Sequence, residues 1–140
     1  MLREMTNAYF PPFDYLPSMA GAASLPLDEI AAAAYEAAYF DRVKAAQVNG
    51  LLEALESLGD VDLLLGFLAR QVARRAWGRG VSASRLYDML KGRSVGEARR
   101  ILGVFKWLFE VASNRRIRTR PSRPAQSGYY AIFLKEALGR

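Results

Sequence analysis

No stretch of this chain alternates apolar and polar residues for long enough to make a useful strand. Apolar residues instead return at helical spacing in five segments closed off by glycine or proline. That pattern predicts an all-α protein. At 140 residues with half of them apolar, the chain can supply one compact core, with arms outside it.

The first segment opens at Pro26, with Asp28 and Glu29 in its first turn, where the macrodipole favours acids. It can run to Leu58, where Gly59 offers a C-terminal stop. Such a helix would be roughly 50 Å long at about 1.5 Å per residue, so it is expected either to protrude or to break at Asn49-Gly50. Its alanine-rich first half, Ala31 to Ala34 with Ala37 and Ala38, buries little area and suits close approach of another backbone. Its second half carries Val48, Leu51, Leu52, Leu55 and Leu58 as a core stripe.

Asp60 should cap a helix over about 61–77, with Leu64, Leu65, Leu68 and Val72 inward and Arg70, Arg74 and Trp77 on another stripe. A short helix starts at Ser82 or Ser84 and stops at Gly92. Ser94-Val95-Gly96-Glu97 has the capping-box pattern and opens a helix over about 95–113, apolar nearly all round and therefore central. A final helix covers about 128–138. The expected layout is an extended arm (1–24), a long helix (25–59), and a basic four-helix bundle (60–140) containing an arginine-rich linker at 115–124.

Residues 1–24 hold Pro11, Pro12 and Pro17, which exclude a helix there, together with Tyr9, Phe10, Phe13, Tyr15 and Leu16. These side chains are expected to bury themselves either on the arm's own domain or on a neighbouring subunit. The arm has no apolar stretch of the kind a secretory signal requires, and no segment approaches the roughly 20 apolar residues of a membrane span.

Charge is distributed very unevenly. Residues 1–65 carry three basic and ten acidic side chains, a net −7, while residues 66–140 carry seventeen basic and four acidic, a net +13. A polyanionic partner met by one half is the expected reading. The densest cluster is Arg115, Arg116, Arg118, Arg120 and Arg123, with no acid between Glu110 and Glu136. Arg70, Arg74, Arg75 and Arg79 form a second group, with no acid between Asp62 and Asp88 to pair at helical spacing. These nine arginines are the candidate phosphate contacts, and phosphates would relieve their mutual repulsion while releasing counterions. Arg85, Lys91, Arg93, Arg99 and Arg100 lie among acids and fit a solvated face equally well.

The chain has neither histidine nor cysteine. That removes the commonest general base, thiolate chemistry, disulfides and the usual metal ligands. No catalytic residue, metal site or cofactor is expected, and no small-molecule substrate. The segment 78–84 could make a helix-turn-helix corner, but 82–91 offers only Arg85 and Lys91 to base edges. Arginine outnumbers lysine sixteen to four, and few Asn or Gln accompany them, a composition that fits a thermophile.

An arm, a long helix and a compact basic bundle, with Gly66-Phe67-Leu68-Ala69-Arg70-Gln71-Val72-Ala73-Arg74 at the bundle's start, resemble the major capsid proteins of filamentous archaeal viruses, of the rudivirus, lipothrixvirus and tristromavirus kind. The resemblance implies a virion subunit that wraps double-stranded DNA through its backbone and self-associates into a helical filament, in some cases with a related second capsid subunit. The acidic first half departs from a fully basic wrapping surface. Two other readings fit a basic all-α chain: the small helical subunit of an archaeal RNA-guided CRISPR interference complex, which would place it in a cytoplasmic ribonucleoprotein, and a site-specific DNA-binding regulator.

Overall fold

The computed structural model describes residues 25–140. The arm residues Tyr9, Phe10, Phe13, Tyr15 and Leu16 lie outside the described residues. Among the described residues there are six α-helices and no strand: α1 (Leu27–Tyr39), α2 (Ala45–Leu58), α3 (Val61–Ala73), α4 (Val81–Leu90), α5 (Val95–Asn114) and α6 (Tyr129–Ala137). The protein is all-α.

The single long helix expected over 25–59 is two helices, and the break lies at 40–44 and not at Asn49-Gly50. Gly50 stays inside α2, where nothing approaches the position a Cβ would occupy. At the true break the backbone bends back. The N–H groups of Phe40 and Asp41 both donate to the Glu36 carbonyl, that of Val43 donates to Ala37, and Arg42 takes a left-handed φ of 53°. The anticipated stop at Gly59 is present, with φ 62° and its N–H on the Leu55 carbonyl.

The order of layers also differs from a bundle of 61–138 with the first helix outside it. Ile30, Ala31, Ala32, Ala33, Ala34 and Ala37 are wholly inaccessible, and α4, α5 and α6 each pack on α1. The alanines do permit close backbone approach, but the backbones that approach are the chain's own. The α2–α3 hairpin attaches at the side, α2 against α5 and α3 against α4. Leu51, Leu52, Leu55, Leu64, Leu68, Leu86, Leu90, Ile101 and Leu102 complete one continuous core with the α1 alanines.

Three helix starts follow local sequence. The Asp60 carboxylate accepts the Leu63 N–H at 2.9 Å, and Ser94 and Glu97 form the reciprocal capping box. The latter bonds, foremost the one from the Ser94 backbone N–H, hold the Glu97 carboxyl below its ordinary range. Pro26 sits at the α1 N-cap. The starts of α4 and α6 are different, because Gly80 and Gly128 have no side chain to cap with. Asp41 supplies the first cap, accepting the N–H groups of Val81 (3.1 Å) and Ser82 (2.7 Å), and Asp28 supplies the second, accepting those of Gly128 (3.1 Å) and Tyr130 (2.8 Å). Two acids of the first half thus satisfy orphan donors of helices 40 and more residues away.

α5 carries Phe105 at its centre, fully buried and flanked by Trp77 and Phe109 with ring centroids 6.5 and 6.4 Å away. Trp107, two residues on, is half exposed. Trp77 is not on the Arg70–Arg74 stripe: α3 ends at Ala73, and the indole turns inward and donates to Ser82 Oγ at 2.8 Å. Truncating Phe105 to Ala should cost about 3–5 kcal/mol in denaturant melts, the range for a fully buried aromatic.

Candidate nucleic-acid interface

The acids of the first half face the basic half across α1. Arg85, an equal candidate for a surface role by sequence, is 3% exposed. Its Nε and Nη2 reach the two oxygens of Glu36 at 3.0 and 2.7 Å, and its Nη1 reaches Glu29 at 2.7 Å. Nη2 also donates to the Ser122 carbonyl at 3.0 Å. Burial works against this charge, but the hydrogen bonds and fields of Glu36 and Glu29 outweigh it and raise the pKa. No buried side-chain nitrogen or oxygen among the described residues lacks a partner.

The arginine-rich segment is not a free linker. Its backbone is tied down by Tyr39, whose hydroxyl accepts the Ile117 N–H at 3.2 Å and lies 2.8 Å from the carbonyls of Ala112 and Arg115. The Ile117 side chain is buried. The Glu136 carboxylate accepts the N–H groups of Arg118 and Thr119 and the Thr119 hydroxyl. Partial burial would raise the Glu136 pKa, but those bonds and the Arg118 charge together hold it below the usual carboxylate value. Gln126 closes the far end by accepting the Ser122 N–H and donating to the Arg120 carbonyl.

Two of the five linker arginines are therefore engaged internally. Arg115 Nε donates to the Ala137 carbonyl at the end of α6 (2.8 Å). Arg123 Nη2 reaches Glu36 at 3.3 Å and the Val81 carbonyl at 2.8 Å, with about half the side chain still exposed. The absence of acids between Glu110 and Glu136 gave no hint of the Arg123 pairing, because its partner carboxylate comes from α1. Arg116, Arg118 and Arg120 are exposed, and Arg120 stands over the Phe40 ring, 5.3 Å from its centroid. In the second group Arg70, Arg74, Arg75 and Arg79 are all exposed, and no ion pair among the described residues involves them.

α4 does not present a base-reading face. It buries Ser82, Ala83, Arg85, Leu86, Met89 and Leu90, leaving Ser84, Tyr87 and Asp88 outward. Lys91 beyond it lies over Tyr87 and 4.0 Å from Asp88. No group of His, Cys, Asp and Glu among the described residues could hold a metal ion, and no helix there is long and apolar enough to cross a membrane. Comparison with family models, curated proteins and solved structures finds no match.

Removing one partner of the Arg85–Glu36 pair leaves a buried charge uncompensated. Arg85→Ala should therefore cost about 3–5 kcal/mol. Lys91→Ala, at the exposed pair with Asp88, should change stability by less than about 1 kcal/mol in the same melts.

Proposed function

We propose that the protein is a structural, non-catalytic nucleic-acid-binding subunit that contacts the phosphate backbone without reading sequence. One observation carries this reading. The chain pairs its buried arginine with two carboxylates, yet leaves Arg70, Arg74, Arg75, Arg79, Arg116, Arg118 and Arg120 exposed with no carboxylate salt-bridged to their guanidinium groups among the described residues. Exposed like charges repel one another, and phosphates relieve that repulsion with release of counterions. The likeness in composition to filamentous-virus capsid proteins extends the proposal to a virion subunit that packages double-stranded DNA in a helical filament, although the long helix of that layout is two helices here.

A site-specific regulator is less well supported, because Arg85, its chief base-edge candidate, is buried. A subunit of an RNA-guided complex would use the same phosphate surface. Electron microscopy of the native assembly separates the two, an extended filament supporting the capsid reading and a discrete particle the other.

Changing Arg70, Arg74, Arg116 and Arg118 together to Gln should lower the slope of log affinity against log salt by about 3–4 units on a duplex, roughly 0.9 for each phosphate no longer neutralised. Affinity should fall alike for unrelated sequences, and the melting temperature should hardly change, since exposed charges add little. An unchanged slope measured by fluorescence anisotropy refutes the phosphate reading.

Assembly is assigned to the arm. Five large apolar side chains, each worth roughly 1.5–3 kcal/mol when buried, lie in residues 1–24, while residues 25–140 already close a core of their own. Deleting residues 1–24 should leave a protein that melts cooperatively by circular dichroism and still binds duplex, but no longer forms extended particles. Loss of cooperative melting would instead assign the arm to the protein's own core.

A further inference from the structure

Only two non-glycine residues among the described ones have positive φ, and both are exposed arginines: Arg42 at 53° and Arg75 at 65°. Every other positive-φ position there is a glycine, at 59, 78, 80, 92, 128 and 139. An L side chain is strained in the left-handed region, where glycine is free and asparagine tolerated. At the six other described positions with this conformation the chain has glycine. At two positions it keeps a long cationic side chain that makes no ion pair with any described residue.

The two turns that hold these arginines meet. A Cβ built on Gly78 would lie 2.4 Å from the Asp41 carbonyl oxygen and 2.7 Å from its Cα, so the 75–80 turn runs directly against residue 41. The Asp41 carboxylate then grips the N–H groups of Val81 and Ser82 and the Ser82 hydroxyl. Arg42 and Arg79 are each the next residue along from that contact. The linker closes the third side: Arg120 stands over Phe40, and Arg123 donates to the Val81 carbonyl. Asp41 is buried and its carboxylate is occupied by donors, which leaves the arginines around it as the exposed charges of this corner.

We infer that the corner formed by residues 40–42, 75–79 and Arg120 is one composite phosphate-binding patch, with Arg42 and Arg75 as contact residues for the phosphodiester groups of a single nucleic-acid strand path. Arg42 belongs to the acidic half of the sequence and stands apart from both arginine groups along the chain. Only the fold brings it beside them. The patch rests on the phosphate reading proposed above, and it adds Arg42 to that surface at the place where Asp41 meets Gly78.

The test uses the full chain with Arg42→Gly and Arg75→Gly combined, and a short DNA duplex of arbitrary sequence as probe. Glycine relieves the left-handed strain, so the variant should melt at the temperature of the parent or close to it. Its salt slope should fall by about two, near 0.9 for each arginine removed. The matching Arg42→Lys and Arg75→Lys variant keeps both charges and should retain the slope. If the glycine variant binds with unchanged slope while Arg70→Gln with Arg74→Gln lowers it, the corner is not the site and the phosphate reading stands. If neither pair changes the slope, the phosphate reading falls with it. If the glycine variant loses cooperative melting along with binding, the arginines serve the turns and the inference is overturned.

Discussion

The fold depends on the buried contact of Arg85 with Glu36 and Glu29. The reason lies in what surrounds it. Five of the eight buried residues of α1 are alanine, and the four in succession let neighbouring helices approach closely but offer little to fix rotation or register. Hydrogen bonds with direction supply what alanine lacks. Glu29 and Glu36 are seven residues apart, two turns along one face, and a single guanidinium spans both carboxylates. Desolvation makes such a pair a poor source of net stability, while removing one partner is costly. Its value here is therefore in fixing which face of α1 meets α4, with the Ser122 carbonyl held by the Arg85 guanidinium and Arg123 held by Glu36.

Charge asymmetry along the sequence takes on a different meaning in three dimensions. The acidic half supplies counter-charges and caps: Asp28 for the N-terminus of α6, Glu29 and Glu36 for Arg85 and the linker, Asp41 for the N-terminus of α4, and Glu56 for Arg99. Glycine starts two helices whose donors would otherwise be orphaned, and acids from α1 and its exit turn complete them. The acids thus neutralise the buried Arg85 and the partly exposed Arg99 and Arg123 of the basic half. What remains positive is concentrated on turns and on the tethered segment after α5.

Legibility followed the range of the interactions. Elements set by neighbours in sequence were readable: the Asp60 cap, the Ser94–Glu97 box, the Gly59 stop, and the four helices from Asp60 onward to within a few residues. The break after Tyr39 was not, because neither glycine nor proline marks it. It is held by Asp41, whose partners lie 40 residues on, and by a strained arginine that no local propensity favours. Asn49-Gly50, the stronger local signal, was overridden by the Leu51–Leu55 stripe packing inward. The arginine cluster at 115–123 was legible as charge. Its division into engaged side chains (Arg115, Arg123) and exposed ones depended on Glu36, Val81 and Ala137, which no spacing rule connects to it.

On the proposed phosphate reading, that division separates folding from binding. If the exposed arginines also held the core, a polyanion would have to compete with internal carboxylates, and binding would loosen the fold. The structure keeps the two sets on different atoms. Arg85 is saturated by Glu29, Glu36 and a carbonyl, while the Arg118 backbone N–H anchors the segment through Glu136 and leaves its guanidinium exposed. Anchoring through the backbone fixes where the charged side chains emerge without using the charges themselves. If the proposed reading holds, a backbone tied down in this way would lower the ordering cost that an untethered basic tail incurs on meeting phosphates. Arginine suits it better than lysine, because each planar fork can meet a phosphate with two parallel hydrogen bonds.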